Sequence, residues 1–515
     1  MTLRRLADLV RSSGSVGPTI ILLAVFAKGL AFLREPFIAA IFGASASSDA
    51  YYISVGLPLL AYNVIALPLS QWVTARLAPG RIAGEHAHAF YSRALVLGGG
   101  GAALLALLVV AVCRPLIQAY APGLQGPRLD EAVGLTRIGA LALPALVLQA
   151  LAAGRLYAMR RFVVVYVWLA LGGLVGLVGV MALTRAYGPT GAVLSFVIAW
   201  WTPALALVPL AAGSRHQRDP NAAGDIPDVN SAMIWRAVAV QVFFQGNALL
   251  VYGFASRLEV GQIASTLFAG KIIMAVYETV VLTAGILIFP RVAELLHGRD
   301  DAAAGAAVQR TLDWLIPVTV GLTVLLIVTR TELVTLVYRR RAFGDHAVQQ
   351  VSSALLGYAP YVVGITLVEM LHRLMVLRGR VLGYLVVFGS ASAINWVASY
   401  AAVERFGLLG VSLGASIGVL SAGVGLWIYA HRRVPALRSK PIALLIVRTM
   451  VAAALSLSLT VPLHAMVGQP SSYAGQVLLV GASSIVVGSL FIVSLQVLGH
   501  RWRWALDLGI PAASE

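Results

Sequence analysis

The chain has 515 residues, of which 59% are hydrophobic and only 11% are charged, and its mean hydropathy is +0.86. Soluble domains carry about 25% charged residues, so this composition excludes a soluble globular protein and indicates a polytopic membrane protein. The formal net charge is +17, but Lys and Arg placed in the loops on one side of a membrane produce such an excess without nucleic-acid binding.

Fourteen apolar windows of roughly 20 residues each predict fourteen transmembrane helices. They lie at 17–42, 50–74, 91–113, 133–154, 162–183, 190–212, 232–255, 262–290, 311–337, 351–377, 382–402, 409–431, 442–466 and 474–498. With a cytoplasmic N-terminus, the inner segments hold 22 Lys and Arg residues and the outer loops hold 8. This bias predicts that both termini are cytoplasmic, and it leaves DNA or RNA binding without support.

The first predicted span carries charged residues inside an apolar segment. Lys28 lies roughly 16 Å into the span at about 1.5 Å per residue, near the bilayer centre, where a charge costs about 2.5 to 3.5 kcal/mol. Lys28 and Glu35 share a helix face and are expected to attract each other, and Pro36 is expected to break or kink the helix. Asp49 opens the second span and is interpreted either as its N-terminal cap or as the partner of Arg34.

Two motifs recur at a constant offset of 219 residues. The matched pairs are Arg161 with Arg380, Gly188 with Gly407, and Gly191 with Gly410. The repeat unit is six spans, which predicts two six-helix lobes in parallel orientation at residues 1–213 and 232–432. The polar segment 214–231 is expected to be a cytoplasmic linker, and 433–515 holds spans 13 and 14 with the tail. This arrangement is typical of a transporter with a central cavity.

Basic residues deep in both halves predict a cavity that is matched to an anion, such as a phosphate or diphosphate. Lys28, Arg34 and Lys271 are the candidates, and Lys271 has no acid within one helical turn. A drug or cation exporter would instead show unpaired acids in the cavity. Glu278 and Glu369 are among the acids that keep this alternative open.

Motifs for catalysis and for cofactor binding are missing from the sequence. The glycine-rich stretch at 97–104 lacks the Lys-Ser/Thr of a phosphate-binding loop. His86 and His88 form only a weak metal pair. No catalytic residue, metal ion or cofactor is therefore expected.

Residues 32–58, "FLREPFIAAIFGASASSDAYYISVGLP", resemble the signature of the MurJ (MviN) lipid II flippases. This family belongs to the superfamily that also contains the MATE multidrug exporters and the polysaccharide flippases. The segment 268–296 is similar to the family's eighth span, with Lys271 at the position of a functional arginine. The segment 336–343, "LVYRRRAF", is similar to an outer segment of the family, with Arg341 in place of a glycine.

The resemblance implies an all-α fold of two six-helix lobes around a central cavity, with spans 13 and 14 flanking a groove for a lipid tail. It implies that an undecaprenyl-diphosphate-linked saccharide crosses the bacterial inner membrane by alternating access. The diphosphate would be bound by Lys28, Arg34 and Lys271, and the essential acid would be Asp49. The supporting or gating residues implied are Glu35, Asp49, Pro36, Pro58, Tyr62 and Arg340.

The sequence departs from the family pattern at several cavity positions. Lys28 and Lys271 stand in place of arginines, and Leu59 and Tyr62 stand in place of an Asn and an Arg, so one cavity cation is missing. A flippase for a polyprenyl-linked polysaccharide unit is therefore the first alternative, followed by a cation-coupled drug exporter and a non-transporting envelope-assembly scaffold. The energy source and any contact with cell-envelope synthesis proteins stay open.

Overall fold

The computed structural model describes residues 16–77, 84–213, 231–298, 300–377, 381–432, 434, 437, 439–468, 470 and 472–499. All regular structure in these ranges is helical. The chain forms two compact units, residues 1–245 and 246–515. The proposed linker, apart from its last residue, both chain termini and Arg380 of the repeat motif lie outside the described residues.

The first unit is built around its two most central helices. Its helices are α1 (Val16–Phe42), α2 (Ala46–Ala61), α3 (Leu67–Arg76), α4 (Gly84–Ala111), α5 (Cys113–Tyr120), α6 (Gly126–Gly139), α7 (Ala142–Ala158) and α8 (Phe162–Ala212). α8 packs against α1, α2, α6 and α7, and α7 also packs against α3 and α4. The division between the units falls inside the next helix, α9 (Ser231–Ala255).

The second unit repeats this plan and adds two helices. Its helices after α9 are α10 (Gln262–Val276), α11 (Thr283–His297), α12 (Asp301–Tyr338), α13 (Asp345–Tyr358), α14 (Tyr361–Leu377), α15 (Val381–Phe406), α16 (Leu408–His431), α17 (Ser439–Val467) and α18 (Tyr473–Val497). α16 packs against α13, α14 and α15, while α12 contacts α11, α13, α14, α17 and α18.

The described helices are compatible with the predicted fourteen spans. Ten helical segments of the described residues are long and apolar enough to cross a membrane, and the bent pair α13 and α14 is an eleventh. α8 has 51 residues, about 77 Å at 1.5 Å per residue, which is more than twice a hydrocarbon core of about 30 Å. Since its backbone is not helical at Gly188, α8 accounts for two spans. α1 and α9 occupy the positions of spans 1 and 7.

The helix boundaries repeat at the offset of 219 that the sequence predicts. α6 and α13 begin and end 219 positions apart, and so do α7 and α14. α8 and α15 begin 219 positions apart, and α8 and α16 end at the same separation. The two units therefore share one pattern of helix breaks, although few of the residues around those breaks are the same.

Matched glycines explain one of these shared breaks. Gly188 and Gly407 both adopt a positive φ, 56° and 53°, a conformation that glycine adopts without steric penalty. A Cβ on Gly191 would overlap the carbonyl oxygen of Leu183, and the carbonyl oxygen of Ala402 lies at the matching place beside Gly410. The chain therefore turns sharply and packs closely at the same point in both units.

A π-helical segment interrupts the second predicted span of each half. π1 (Tyr62–Ala66) joins α2 to α3, and π2 (Tyr277–Leu282) joins α10 to α11. Each segment begins with a tyrosine. Such segments inside α-helices are rare and frequently lie at functional sites, so they direct attention to the surroundings of Tyr62 and Tyr277.

The two C-terminal helices attach to the second unit mainly through α12. The absence of a side chain at Gly321 makes room for Phe491, whose ring would lie 3.2 Å from a Cβ at that position. A polar contact accompanies this packing, because His464 Nε2 lies 3.2 Å from Glu332 Oε2 and His464 Nδ1 lies 3.2 Å from Ser483 Oγ. Glu332 is buried. One polar cluster therefore joins α12, α17 and α18.

Gly191→Ala is expected to lower the free energy of unfolding by about 1 to 3 kcal/mol, because the added Cβ would overlap the carbonyl oxygen of Leu183. Gly410→Ala is expected to lower the free energy of unfolding similarly, because its Cβ would overlap the carbonyl oxygen of Ala402. Gly100→Ala on α4 is the matched control, because nothing lies within 4 Å of its Cβ. Thermal unfolding in detergent measures the difference, and equal melting temperatures for Gly191→Ala and Gly100→Ala would contradict the prediction.

Candidate functional site

Arg34 and Glu35 form an ion pair within α1. Arg34 Nη2 lies 3.5 Å from Glu35 Oε1, a long contact because successive residues of a helix point about 100° apart. The other carboxylate oxygen accepts a hydrogen bond of 2.5 Å from the Tyr52 hydroxyl, within the range for a hydroxyl bound to a carboxylate. Glu35 is only 1% exposed. α1 and α2 together therefore neutralise a buried acid.

The Arg34 guanidinium keeps most of its hydrogen-bonding capacity free. Arginine has five N–H donors, and among the described residues only Glu35 accepts a hydrogen bond from Arg34. The Nε of Arg34 has no hydrogen-bond partner, although the side chain is only 15% exposed. The guanidinium also lies over the ring of Phe196, 5.8 Å from its centroid. An anion can therefore bind this side chain without displacing a strong partner.

A row of aromatic side chains connects Arg34 with π1. Phe196 and Trp200 lie one turn apart on α8, with ring centroids 6.3 Å apart. Trp200 in turn contacts Tyr62, the first residue of π1, at a centroid distance of 5.2 Å. Tyr62, predicted as a supporting residue, therefore reaches Arg34 through two rings of α8.

The structure corrects both interpretations of Asp49. The N-cap of α2 is Ser45, whose side chain and that of Ser48 form a reciprocal capping box. Asp49 is fully buried, and its Oδ2 lies 3.3 Å from Arg128 Nη2. Arg34 forms its ion pair elsewhere. Arg128, near the start of α6, is therefore the basic residue observed at the Asp49 carboxylate.

The second unit contains a similar tyrosine–glutamate contact near Lys271. Lys271 is half-buried on α10, and π2 begins six residues later. The hydroxyl of Tyr277 donates a hydrogen bond of 3.1 Å to Glu369 Oε2, and Glu369 on α14 is buried. In both units, therefore, a buried glutamate accepts a hydrogen bond from a tyrosine of the second predicted span.

Arg340 stabilises the end of α12. Its guanidinium donates hydrogen bonds of 2.5 Å to the carbonyl oxygen of Val337 and 3.1 Å to that of Leu336, and a cation at the C-terminus of a helix is favourable. Arg341, which replaces the glycine of the family pattern, has φ of 50°. Phe343 is buried. The conformation at position 341 is thus the one that favours glycine.

The two predicted prolines lie inside helices. α1 continues through Pro36 to its last residue, so the helix break predicted there is absent. Pro58 is buried in α2, four residues before π1. Lys28 is exposed on α1, six residues before Arg34, which is about 9 Å along the helix axis. The structure therefore places Arg34 and Glu35 together, with Lys28 less than two helical turns earlier on the same helix.

Four side chains of this region were not predicted from the sequence: Tyr52, Arg128, Phe196 and Trp200. Tyr52 lies inside the quoted motif, but its partner Glu35 is 17 positions away, so the motif gave no local signal of their contact. Arg128 is 79 residues from its partner, and the two aromatic residues lie on α8. No pattern in the sequence links these three with the first span.

The described residues offer no metal site. His86 and His88 lie on α4 and are exposed. Within the described ranges, no group of three or more His, Cys, Asp or Glu residues could hold a metal ion.

Comparisons with known proteins point to one family. The sequence model of the family described as lipid II flippase MurJ matches residues 38–480. The solved structure of a lipid II flippase MurJ in an inward closed conformation has a TM-score of 0.73 and 15% identity, and the match covers 93% of this chain and 99% of that chain. No curated protein matches the sequence.

Transporters of the MOP superfamily share the fold. A multidrug resistance MATE family transporter in an inward-facing conformation has a TM-score of 0.64 and 14% identity, with 80% of this chain and 98% of that chain covered. A MOP superfamily transporter from Pyrococcus furiosus has a TM-score of 0.57 and 13% identity, with 82% and 96% covered. At these identities the solved structures establish the fold alone.

Arg128→Gln is expected to lower the free energy of unfolding by about 2 to 3 kcal/mol, because it removes a charged partner from the buried Asp49 carboxylate. The matched control is Arg114→Gln, which removes an ion pair with Asp130 in which both side chains are more than half exposed. An exposed pair contributes about 0 to 1 kcal/mol. Thermal unfolding compares the two variants, and equal losses would contradict a structural role for the buried pair.

Arg341→Gly is expected to raise the free energy of unfolding by about 1 kcal/mol, because glycine adopts the positive φ at this position without the steric penalty of a side chain. Arg339→Gly is the control, since Arg339 has φ of −67° and its side chain lies 2.8 Å from Asp345. Its melting temperature should fall. A lower melting temperature for Arg341→Gly would disprove the expected gain.

Proposed function

The chain belongs to the MurJ family of lipid II flippases, and from this membership we propose that Lys28, Arg34 and Lys271 bind the diphosphate of its lipid-linked saccharide during translocation. The protein is a membrane-embedded transporter of the inner membrane, and not an enzyme. Its substrate is an undecaprenyl-diphosphate-linked saccharide of the lipid II type.

The observation that carries this assignment of residues is the state of Arg34. Its guanidinium is charged at all physiological pH values, lies in an apolar helix and, within the part of the chain that the structure describes, has a single long hydrogen bond, 3.5 Å, to Glu35. A phosphate group offers several acceptor oxygens to the planar fork of an arginine. Binding of a diphosphate therefore satisfies donors that the folded chain leaves unused.

The described acids favour an anionic substrate over a cationic one. Glu35 accepts a hydrogen bond from Tyr52, Glu369 accepts one from Tyr277, and Asp49 lies beside Arg128. A cation exporter needs acidic groups that are available to its substrate or coupling ion. In this chain these acids are engaged with other side chains, whereas Arg34 has donors to spare.

Lys271 is proposed as the contribution of the second unit. It lies six residues before π2. Arg34 is likewise linked to a π-helical segment, because the rings of Phe196 and Trp200 on α8 connect it with Tyr62 of π1. Lysine presents a compact point charge that rotates easily, while arginine presents a fixed fork. We assign the orientation of the phosphate to Arg34 and the neutralisation of its charge to Lys28 and Lys271. Both chain termini are placed in the cytoplasm, on the basis of the Lys and Arg distribution.

The test is complementation in bacterial cells depleted of their own lipid II flippase. The wild-type chain is expected to restore growth, and Arg34→Ala is expected to fail. Loss of a charge-assisted hydrogen-bonding group corresponds to about 1.5 to 3 kcal/mol, or roughly 10- to 100-fold in affinity. Membrane levels of each variant are measured in parallel by immunoblot.

The control is Arg185→Ala, which removes an exposed arginine of the same unit and is expected to support growth. Failure of the wild-type chain to rescue, with normal membrane levels, would favour a polysaccharide-unit substrate. Rescue by Arg34→Ala would remove Arg34 from the binding site.

A further inference from the structure

A second buried donor belongs to the cluster of side chains around Arg34 and Glu35. Tyr51, the residue before Tyr52 on α2, is fully buried, and its ring packs edge-on against that of Tyr52 with centroids 5.1 Å apart. Its hydroxyl has no hydrogen-bond partner among the described residues. Tyr52 in turn donates its hydroxyl proton to Glu35, the neighbour and ion-pair partner of Arg34, so Tyr51 belongs to the same cluster of side chains. Arg34 Nε and Tyr51 Oη are thus two polar atoms of this cluster that are buried without hydrogen-bond partners among the described residues.

The two neighbouring tyrosines have different surroundings. The hydroxyl of Tyr52 is fully used, because it donates its proton to Glu35 at 2.5 Å. The hydroxyl of Tyr51 forms no hydrogen bond with any residue in the described ranges. Buried polar groups nearly always have a partner, and a persistent exception calls for a ligand or for another state of the protein. The arrangement therefore separates a tyrosine that fixes the acid from one that is available.

We propose that Tyr51 is a substrate-binding residue, which donates its hydroxyl proton to an oxygen of the phosphate bound by Arg34. The inference rests on the proposed function, and it adds a neutral donor to the three cations. A phosphate oxygen suits both donors, because it accepts hydrogen bonds from the N–H groups of an arginine and from the O–H group of a tyrosine. A ligand without such acceptors would leave both atoms unsatisfied.

The ligand reaches Tyr51 through a rotation of the Arg34 side chain. Both unpartnered atoms are enclosed in the present conformation. Arg34 is held by one long contact of 3.5 Å to Glu35 and by a cation–π contact of 5.8 Å, so its side chain can turn toward the phosphate while its charge stays near that carboxylate. Glu35 stays in place during this rotation, because Tyr52 binds its other oxygen. The acid therefore does not move with the guanidinium, and it does not bind the phosphate, because both groups are anions and accept hydrogen bonds.

The experiment measures binding of undecaprenyl diphosphate to purified full-length protein in detergent, with undecaprenol as the probe that lacks phosphate. Tyr51→Phe is expected to weaken binding of the diphosphate roughly tenfold and to leave undecaprenol binding unchanged. Tyr91→Phe is the matched control, since Tyr91 is also fully buried, has a hydroxyl without a partner and packs on an arginine, Arg155, at 4.5 Å. It should bind as the wild type does.

Arg34→Ala separates this inference from the proposed function. If Arg34→Ala binds the diphosphate as tightly as the wild type, the proposed site itself is wrong. If Arg34→Ala is weakened and Tyr51→Phe is not, the Tyr51 hydroxyl has no ligand role and only the present inference is overturned. Weakening by both variants, without an effect of Tyr91→Phe, supports it.

A second measurement guards against misfolding of Tyr51→Phe. A fluorinated tyrosine incorporated at position 51 preserves the ring and makes the hydroxyl more acidic. Since an ionised hydroxyl can no longer donate and carries a negative charge, and since burial opposes that ionisation, diphosphate binding by this protein should weaken as the pH rises from 7 to 10, at a lower pH than in the wild type. The wild type should show a smaller change, and identical pH profiles would count against the proposal.

Discussion

The contact of Glu35 with both Arg34 and Tyr52 is the interaction on which the polar centre of the first unit depends. A lone carboxylate in an apolar helix is strongly unfavourable, so α1 tolerates Glu35 only with a cation and a hydroxyl beside it. The cation is the adjacent residue, but the hydroxyl comes from α2. Glu35 is therefore stabilised only when α1 and α2 pack against each other. The arginine that results is charged, nearly enclosed and only loosely bonded.

The second unit meets the same requirement with other residues. Tyr277 binds Glu369, which lies on α14 and not on the helix that corresponds to α1. The helix boundaries nevertheless repeat at 219 positions, and both halves have a π-helical segment in the second span. The two halves of the chain thus resemble each other more in their helix boundaries than in their polar side chains. The shared helix break is set by the positive φ of Gly188 and Gly407, which the fold requires in both halves. The side chains of a binding site are set by the substrate, so they need not be the same in the two halves.

The sequence predicted much of the architecture because its signals were local or periodic. Apolar windows identified the spans, and two short motifs supplied the offset that the helix ends later confirmed. The partner of Asp49 could not be found in this way, because Arg128 lies on another helix and any of several arginines satisfied the charge. The helix break predicted at Pro36 was also wrong, since the rest of α1 supports a helix through the missing hydrogen bond. π1 and π2 were not predicted from the sequence, and the aromatic contacts of Arg34 with α8 join residues that are far apart in the chain.

The contact between Glu332 and His464 limits which amino-acid substitutions this protein can accept during evolution. Among the described residues, His464 is the basic partner found for a glutamate that is only 4% exposed. Replacing the histidine alone would leave an acid enclosed between helices, and replacing the glutamate alone would leave an imidazole there. The two positions, 132 residues apart in the chain, are therefore coupled: substitutions at one are tolerated mainly together with a substitution at the other. Among relatives of this protein, residues 332 and 464 should be found to covary.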